Sequence, residues 1–254
     1  MTCPAEPEPA GEERRVAATA PLSREFLARP AEEVAPELLG CVVAHQTAEG
    51  LVAVELTEVE AYAGPVDPAS HAYRGKTGRN AVMFGPPGHA YVYFTYGMHF
   101  CVNIVCMPAG TASAVLLRAG RIVAGEPLAR RRRTSRRTEA AGVAEMPEVP
   151  ETAGTALRSV PPARDLARGP ARLCQSLAIT RMQNGADLCA PDSELRLLPR
   201  ASDPRASDPG ASGPPRISTG PRVGVTAAAD TAWRFYLAGD PTVSVYRPHK
   251  RRSR

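Results

Sequence analysis

Apolar and polar residues alternate regularly around position 55. Val52, Val54 and Leu56 occupy every second position, and this period-two pattern predicts a β-strand that buries one face. If the alternation continues, Glu58 and Glu60 fall on the same face as the apolar residues. Carboxylates buried there would need ion pairs, hydrogen bonds or protonation, whereas a β-bulge would turn both of them outward. The sequence leaves three arrangements open. The carboxylates are buried, or a bulge turns them outward, or they belong to a solvated or ion-paired strand end.

The remaining pattern predicts several short helices and strands. Ser23 has the side chain of a helix N-cap, and Pro30 interrupts the helix that follows it. Short connections through Gly97 and residues 108–110 favour antiparallel neighbours. The predicted fold is a mixed α/β (α+β) single domain with a curved, largely antiparallel sheet and flanking helices. Predicted helices begin at residues 24, 31 and 169, and predicted strands cover residues 41–46, 51–62, 91–94, 100–107, 113–117, 222–225 and 234–237.

Four stretches lack such periodicity. Residues 1–20 are rich in Pro, Glu and Ala and predict a disordered leader, and residues 249–254 form a basic tail. Residues 129–163 begin with a dense run of arginines, whose candidate role is loose attraction to phosphates. Residues 199–216 repeat the sequence RASDP, so both internal stretches predict flexible surface inserts. The domain is therefore expected to span residues 21–248.

Charge and hydropathy narrow the class of partner. The 254 residues carry a formal net charge of +5 and a sequence pI of about 9.0, which suits a polyanionic partner. No apolar run is long enough to cross a bilayer, and the acidic, polar N-terminus lacks the apolar region of a secretory signal. We therefore expect a location in the cytoplasm or on the nucleoid, and no membrane partner.

The six cysteines give no sign of a metal site. They form no Cys-x-x-Cys pair, and none stands beside histidines at zinc spacing. Most lie in apolar contexts, so we interpret them as free thiols in a reducing compartment and predict no metal. They are Cys3, Cys41, Cys101, Cys106, Cys174 and Cys189.

Candidate chemistry concentrates in residues 63–100, directly after the predicted strand with the two glutamates. A polar loop ends in His71, and a basic, glycine-containing loop at residues 74–80 has donors suited to phosphates. Residues 91–100 then hold five aromatic rings, although the whole chain is only 5% aromatic. Acids, an imidazole, a basic loop and an aromatic wall together indicate a site that stacks a flat ring and performs acid–base chemistry beside it.

An ordered set of short motifs runs through the chain. The motifs are TEVEAY (57–62), ASH (69–71), RN (79–80), MF (83–84), YVY (91–93), YGM (96–98), CVNI (101–104), VLLR (115–118), GPARLCQ (169–175), PRVGV (221–225), WRFY (233–236) and VSV (243–245). In order and spacing, this set resembles the alkyladenine (3-methyladenine) DNA glycosylase family. The resemblance covers residues 21–248, and it is the whole set, not any single motif, that is specific.

The resemblance implies roles for the central residues. Glu60 matches the family's catalytic glutamate, a general base that activates water. Arg118 and the backbone carbonyl of Val223 match groups that help to hold this water. Tyr62, His71 and Tyr93 match the residues that sandwich and contact a flipped base.

Further residues match positions that contact DNA. Tyr96 matches the side chain that wedges into the duplex, and Met98 lies beside it. Asn103 matches the residue that crowds the exocyclic amine of guanine and so filters out normal bases. The basic loop is expected to contact the DNA backbone or to shape the pocket. Its candidate residues are Arg74, Lys76, Arg79 and Asn80.

Each role has a structural alternative. Tyr93 would be an ordinary core aromatic, His71 an ordinary loop histidine and Asn103 a satisfied structural amide. Glu58 rivals Glu60, because the two-residue spacing puts both carboxylates on one face. Only the alignment of the neighbouring motifs favours Glu60, which leaves Glu58 a structural or supporting role.

The resemblance implies a monofunctional glycosylase without a cofactor, acting as a monomer on double-stranded DNA. It would flip out damaged purines (3-methyladenine, 7-methylguanine, hypoxanthine or ethenoadenine) and hydrolyse the N-glycosidic bond, leaving an abasic site. A lysine nucleophile is not favoured, because the only lysines are Lys76 in the basic loop and Lys250 in the tail. Two other classes stay open, a catalytically silent damaged-DNA-binding module and a hydrolase of free nucleosides. Steeply salt-dependent binding would favour a DNA enzyme over the latter.

Overall fold

The computed structural model describes residues 11–95, 97–134, 161–200 and 216–246. Its helices are α1 (Gly11–Ala18), α2 (Arg24–Leu27), α3 (Ala31–Glu37), α4 (Glu126–Thr134) and α5 (Pro170–Ser176). Its strands are β1 (Val42–Thr47), β2 (Gly50–Tyr62), β3 (Ala90–Thr95), β4 (His99–Cys106), β5 (Ser113–Ala124), β6 (Ala167–Arg168), β7 (Leu195–Leu198), β8 (Ile217–Gly220) and β9 (Arg234–Leu237). Short 3₁₀ helices cover Gly64–Val66, Ala81–Phe84, Ala163–Asp165 and Arg181–Gln183.

The strands join one nine-stranded sheet. Along its main path the order is β3-β4-β5-β2-β1-β7, while β6 pairs with β5 and β9 pairs with both β2 and β8. Every pairing between these strands is antiparallel. The predicted mixed α/β class and antiparallel sheet are confirmed.

A β-bulge in β2 decides which way the two glutamates face. The register against β5 shifts between Leu56 and Glu58, so Thr57 becomes an extra residue. Leu56 packs into the main core before the bulge, and Val59 packs into it afterwards, so the parity of the core-facing positions changes. Glu58 and Glu60 therefore leave the core-facing side of β2. Both nevertheless stay 0% exposed, because other segments cover them on the opposite face.

Helices α2, α3, α4 and α5 contribute buried residues to the main core. Helix α3 packs on β2 and β5, and α5 packs on β4 and β5. The Ser23 hydroxyl accepts a hydrogen bond from the backbone N–H of Phe26 and caps α2, as the sequence predicts. Leu27 of α2 and Leu173 of α5 are fully buried. Of the helices that the structure describes, none is long and apolar enough to cross a membrane.

Helices occupy parts of two segments for which the sequence predicts disorder or flexibility. Residues in the predicted leader form α1, whose Val16 is 5% exposed and packs with residues of β1 and β2. The arginine run begins inside α4, where Arg132 donates hydrogen bonds to Glu49 and to the hydroxyl of Thr47. Tertiary contacts thus order polar segments that lack a clear hydrophobic period. The rest of the leader, the inserts and the tail falls at residues 1–10, 135–160, 201–215 and 247–254, outside the described residues.

The strand predicted at residues 222–225 is also wrong, whereas the one at residues 234–237 is confirmed as β9. Strand β8 lies earlier, at Ile217–Gly220, and pairs with β9. Residues 221–227 leave the sheet after it, and within them Arg222 turns inward, with its side chain 0% exposed. This irregular segment, called the 221–227 segment below, covers part of the functional face.

Candidate active site

Four adjacent strands carry the candidate residues on the sheet face opposite the main core. The register pairs Glu60 of β2 with Leu116 of β5, Leu116 with Asn103 of β4, and Asn103 with Tyr91 of β3. Directly paired residues of an antiparallel sheet project their side chains to the same face. One row across the sheet therefore connects the acid to the aromatic residues.

A cavity of about 470 Å³ opens on this face, a volume typical of sites for small flat ligands. The sheet forms its floor, and its walls come from the loop around residues 68–71 and from the 221–227 segment. The structure brings most of the predicted chemical residues to this cavity. Those that line it are Tyr62, His71, Tyr93, Asn103, Arg118 and Val223.

Glu60 is fully buried beside the cavity and is held by three of the residues that line it. Its Oε2 accepts a hydrogen bond of 2.8 Å from the Tyr62 hydroxyl, and its Oε1 accepts one of 2.7 Å from the backbone N–H of Val223. Nη1 of Arg118 lies 3.2 Å from the same Oε1. The sequence associates the carbonyl of Val223 with this site, and the structure adds that its N–H orients the carboxylate. Burial, followed by the charge of Glu60, raises the pKa of Tyr62 well above its usual value, so the hydroxyl stays a donor.

Glu58 lies in a buried cluster that shares Arg118 with Glu60. It contacts Arg118 of β5, Arg234 of β9 and Ser244 near the end of the described chain. Burial opposes its ionisation, but the charges of Arg118 and Arg234 outweigh this effect and lower the pKa of Glu58. The carboxylate is therefore ionised at neutral pH. In turn, burial opposes the charge of Arg118, but Glu60 and Glu58 raise the pKa of its guanidinium above the ordinary value.

The aromatic wall combines stacked and edge contacts. Tyr91 and Tyr93 stack with ring centroids 5.6 Å apart, and the ring of His71 meets Tyr93 edge-on at 4.6 Å. Nδ1 of His71 lies 3.0 Å from the Tyr91 hydroxyl. His71 is an exposed residue, but partial desolvation of its imidazole, followed by the charge of Arg79, lowers the pKa of His71. The imidazole is therefore uncharged at neutral pH, although the ring remains open to the cavity.

Asn103 is both a structural amide and a cavity residue. Its Nδ2 donates a hydrogen bond of 3.2 Å to the backbone carbonyl of Tyr91 on the neighbouring strand, and the side chain is 5% exposed. The two interpretations of this asparagine are thus compatible, because the cross-strand bond fixes the amide at the cavity floor.

The basic loop divides into an internal brace and an exposed set of cations. Asn80 is 2% exposed, donates to the carbonyls of His71 and Gly75, and accepts from Thr77. Its amide holds the loop in shape, which agrees with the second of the two predicted roles, and a contact of Asn80 with the DNA backbone stays a prediction. The cationic side chains of the loop lie at exposed positions. They are Arg74, Lys76 and Arg79.

The turn between β3 and β4 carries the residues predicted to enter the duplex. Met98 is 55% exposed on this turn, and Gly97 before it has a φ of 65°, which glycine adopts readily. Such an exposed methionine at a hairpin tip is available for contact with a partner. Tyr96, the other predicted wedge, lies outside the described residues.

A buried ion pair that the sequence does not single out joins two cavity walls. Arg222 and Asp67 are each 1% exposed and form a bidentate pair. The guanidinium also lies over the rings of Tyr62 and Trp233, at 4.7 Å and 5.3 Å from their centroids. The sequence does place both residues next to predicted site residues, since Arg222 directly precedes Val223 in one motif and Asp67 opens the loop before His71.

Potential metal ligands do not cluster in the described part of the chain. No group of three or more His, Cys, Asp or Glu side chains there is arranged to hold an ion. Cys101 lines the cavity as a free thiol, and burial raises its pKa, which keeps the thiol protonated.

Comparison with known proteins identifies the family. The model of the family described as methylpurine-DNA glycosylase (MPG) matches residues 25–241. A protein of Streptomyces avermitilis named "Putative 3-methyladenine DNA glycosylase" is 48% identical over 236 residues, which cover 92% of this chain and 95% of the relative. Proteins with the same name in Leifsonia xyli subsp. xyli and Mycobacterium tuberculosis are 49% and 42% identical, over 85% and 91% of this chain and 88% and 96% of their own lengths. The chain therefore belongs to the methylpurine-DNA glycosylase family, the enzymes that hydrolyse the N-glycosyl bond of methylated purines in DNA.

Proposed function

We propose that this chain removes methylated purines from double-stranded DNA by base flipping and hydrolysis, with Glu60 as the general base. A base inside the duplex cannot reach an enclosed site, so the damaged nucleotide must rotate out of the stack into the cavity. The observation that carries the proposal is the buried Glu60 carboxylate, held by three residues that line the cavity of about 470 Å³: Tyr62, Arg118 and Val223. An oriented acid beside a base-binding space is what hydrolysis of an N-glycosidic bond requires.

The proposed mechanism follows from the charge that develops as the bond breaks. The sugar gains oxocarbenium character, which a nearby carboxylate stabilises. Glu60 accepts a proton from the attacking water, while Arg118 and Val223 keep its carboxylate oriented. A methylated purine that carries a positive charge is already a good leaving group, so one carboxylate suffices. The product is an abasic site, and the reaction uses water and no cofactor.

The aromatic residues are proposed to hold the flipped base. Stacking on Tyr62 and Tyr93 attracts a cationic purine by roughly 1–2 kcal/mol per desolvated cation–π contact. The uncharged His71 adds no repulsion toward such a base. Cationic 3-methyladenine and 7-methylguanine should therefore be preferred over neutral hypoxanthine and ethenoadenine. Asn103 at the cavity floor would crowd the exocyclic amine of normal guanine and select against it.

Contacts outside the cavity are proposed to bind the duplex. Met98 on its exposed turn, together with Tyr96, would fill the gap that the flipped base leaves. The exposed cations of the basic loop would bind phosphates, with binding that weakens as salt rises. Lys76 belongs to this exposed loop and does not line the cavity, which favours water over a lysine nucleophile.

Single-turnover base release from duplex DNA tests the proposal. One substrate holds 3-methyladenine or 7-methylguanine, and another holds hypoxanthine. Glu60→Gln should lower the release rate by about 10²- to 10⁴-fold and leave lesion binding intact. Glu55→Gln is the matched control, because it makes the same change in the same strand at an ion pair with Arg121 outside the cavity.

Two outcomes would contradict the proposal in different ways. Lesion-selective binding by the wild type without release of any base would leave a damage-recognition module. Release that survives in Glu60→Gln would transfer the role of general base to another group, with Glu58 as the first candidate.

A further inference from the structure

Glu58 has a set of contacts that the proposed mechanism does not use. Its Oε1 accepts hydrogen bonds from Nε of Arg118 at 2.7 Å, Nε of Arg234 at 2.7 Å and Oγ of Ser244 at 2.9 Å. Its Oε2 accepts one of 2.7 Å from the backbone N–H of Ser244. Glu58 is 0% exposed, and of these partners only Arg118 lines the cavity. Arg118 is therefore the side chain that links Glu58 to the cavity.

The position of Arg118 depends on these contacts. The pairing of β2 with β5 skips Arg118 at the bulge, so its side chain turns between the two glutamates. Nε bonds to Glu58, Nη2 donates to Oγ of Ser244 at 3.4 Å, and Nη1 lies 3.2 Å from Oε1 of Glu60. A planar guanidinium that is held at Nε and Nη2 has little freedom to rotate. Glu58 and Ser244 thus direct Nη1 toward a single oxygen of Glu60.

The charges of the cluster show what the loss of Glu58 would do. Two carboxylates, Glu58 and Glu60, face two guanidinium groups, Arg118 and Arg234. Without the charge of Glu58, Arg118 could turn its planar fork onto Glu60 and form a bidentate pair, the strongest arrangement of these groups. The guanidinium would then take the remaining acceptor position of Oε2 beside the Tyr62 hydroxyl, the position proposed to accept the proton from water.

We propose that Glu58 is a positioning residue for the reaction assigned to Glu60. By holding Arg118 through Nε, it restricts the guanidinium to Oε1 of Glu60 and leaves Oε2 with one acceptor position, beside the Tyr62 hydroxyl, for the attacking water. This inference rests on the proposed function. Glu58 touches neither the base nor the water, so it is not itself a catalytic residue.

The test measures lesion binding and single-turnover base release separately in folded variants. Glu58→Gln should lower the release rate by about 10- to 100-fold with unchanged affinity for methylated duplex DNA, because the chemistry loses its geometry and the DNA contacts remain. Ser244→Ala removes only one hydroxyl and should lower the same rate by about two- to tenfold. Glu55→Gln again serves as the control in the same strand and should match the wild type.

The outcomes separate this inference from the proposed function. Suppose that the wild type and Glu55→Gln release methylated purine, and that Glu58→Gln and Ser244→Ala release it at the wild-type rate. The positioning role is then overturned, and the proposed function stands. If Glu58→Gln does not fold, an undiminished rate in Ser244→Ala overturns the positioning role. If Glu58→Gln abolishes release and Glu60→Gln retains it, Glu58 is the base and both proposals fall. A wild type that releases no base likewise removes both.

Discussion

Replacing Asp67 by Asn should break the buried ion pair that joins two walls of the cavity. Nη1 of Arg222 donates to Oδ2 of Asp67 at 2.5 Å, and Nη2 donates to Oδ1 at 2.9 Å. The backbone N–H of Ala69 donates to Oδ1 at 3.0 Å, so the carboxylate also shapes the loop that leads to His71. Asparagine keeps the size of the side chain but removes its charge. The guanidinium of Arg222 then stays buried without a counter-ion.

The magnitude follows from burial, and the chain contains its own comparison. Removing one partner of a buried pair costs about 3–5 kcal/mol of the free energy of unfolding. Arg29 and Glu37 form a second bidentate pair, at 3.0 Å and 2.8 Å, but their side chains are 36% and 49% exposed. Water screens such a pair, so Glu37→Gln should cost about 0–1 kcal/mol.

Urea unfolding of the wild type, Asp67→Asn and Glu37→Gln at pH 7 measures how much free energy of unfolding each variant loses. For a domain of this size, thermal unfolding should show a midpoint lower by about 6–20 °C for Asp67→Asn. Base binding should weaken as well, because Arg222 supports Tyr62 and precedes Val223. If Asp67→Asn costs no more than Glu37→Gln, the reasoning from burial and unpaired charge is refuted.

Three further predictions concern the backbone, pH and selectivity. Gly64 has a φ of 66°, and a Cβ there would lie 1.7 Å from the carbonyl oxygen of Ala112. Gly64→Ala should therefore cost about 2–4 kcal/mol in urea unfolding, whereas Gly75→Ala, with open space around its Cβ, should cost about 1 kcal/mol. Because burial lowers the pKa of His71 from 6.5, the unfolded chain binds the proton more readily and stability falls as the pH drops below 6.5. Urea midpoints at pH 7.5 and 5.5 should thus differ less in His71→Gln than in the wild type; an equal difference would contradict this assignment. Asn103→Ser should raise the release of undamaged guanine about tenfold while 7-methylguanine is still released, and an unchanged ratio of the two rates would remove the proposed filter.

Local patterns in the sequence predict much of this fold. Ser23 caps α2 because its hydroxyl needs only a backbone N–H three residues away. The alternation before Leu56 predicts the core-facing half of β2 because a strand has a fixed period of two. The motif set identifies the family, since its residues keep their order and spacing along the whole domain. Each of these signals lies in the order of residues along the chain, and so it can be read without the tertiary structure.

Other features depend on segments that are distant in the chain. The bulge at Thr57 involves the register of β2 against β5, and no local pattern announces where a neighbouring strand will skip a residue. Helix α1 forms because Val16 packs into a cluster with β1 and β2, although its own composition predicts disorder. The polar side chains around residues 71–80 predict a phosphate-binding loop, but only the fold turns Asn80 inward to brace it.

The sequence by itself determined the strand that carries Glu58 and Glu60, the aromatic hairpin, the mixed α/β class and the family. The tertiary structure alone decided how the two acids differ. Glu58 meets Ser244, 186 residues away, and Glu60 meets the backbone N–H of Val223, 163 residues away. The physical reason is that a buried carboxylate takes its character from the donors around it. Those donors come from strands and loops that only the folded sheet brings together.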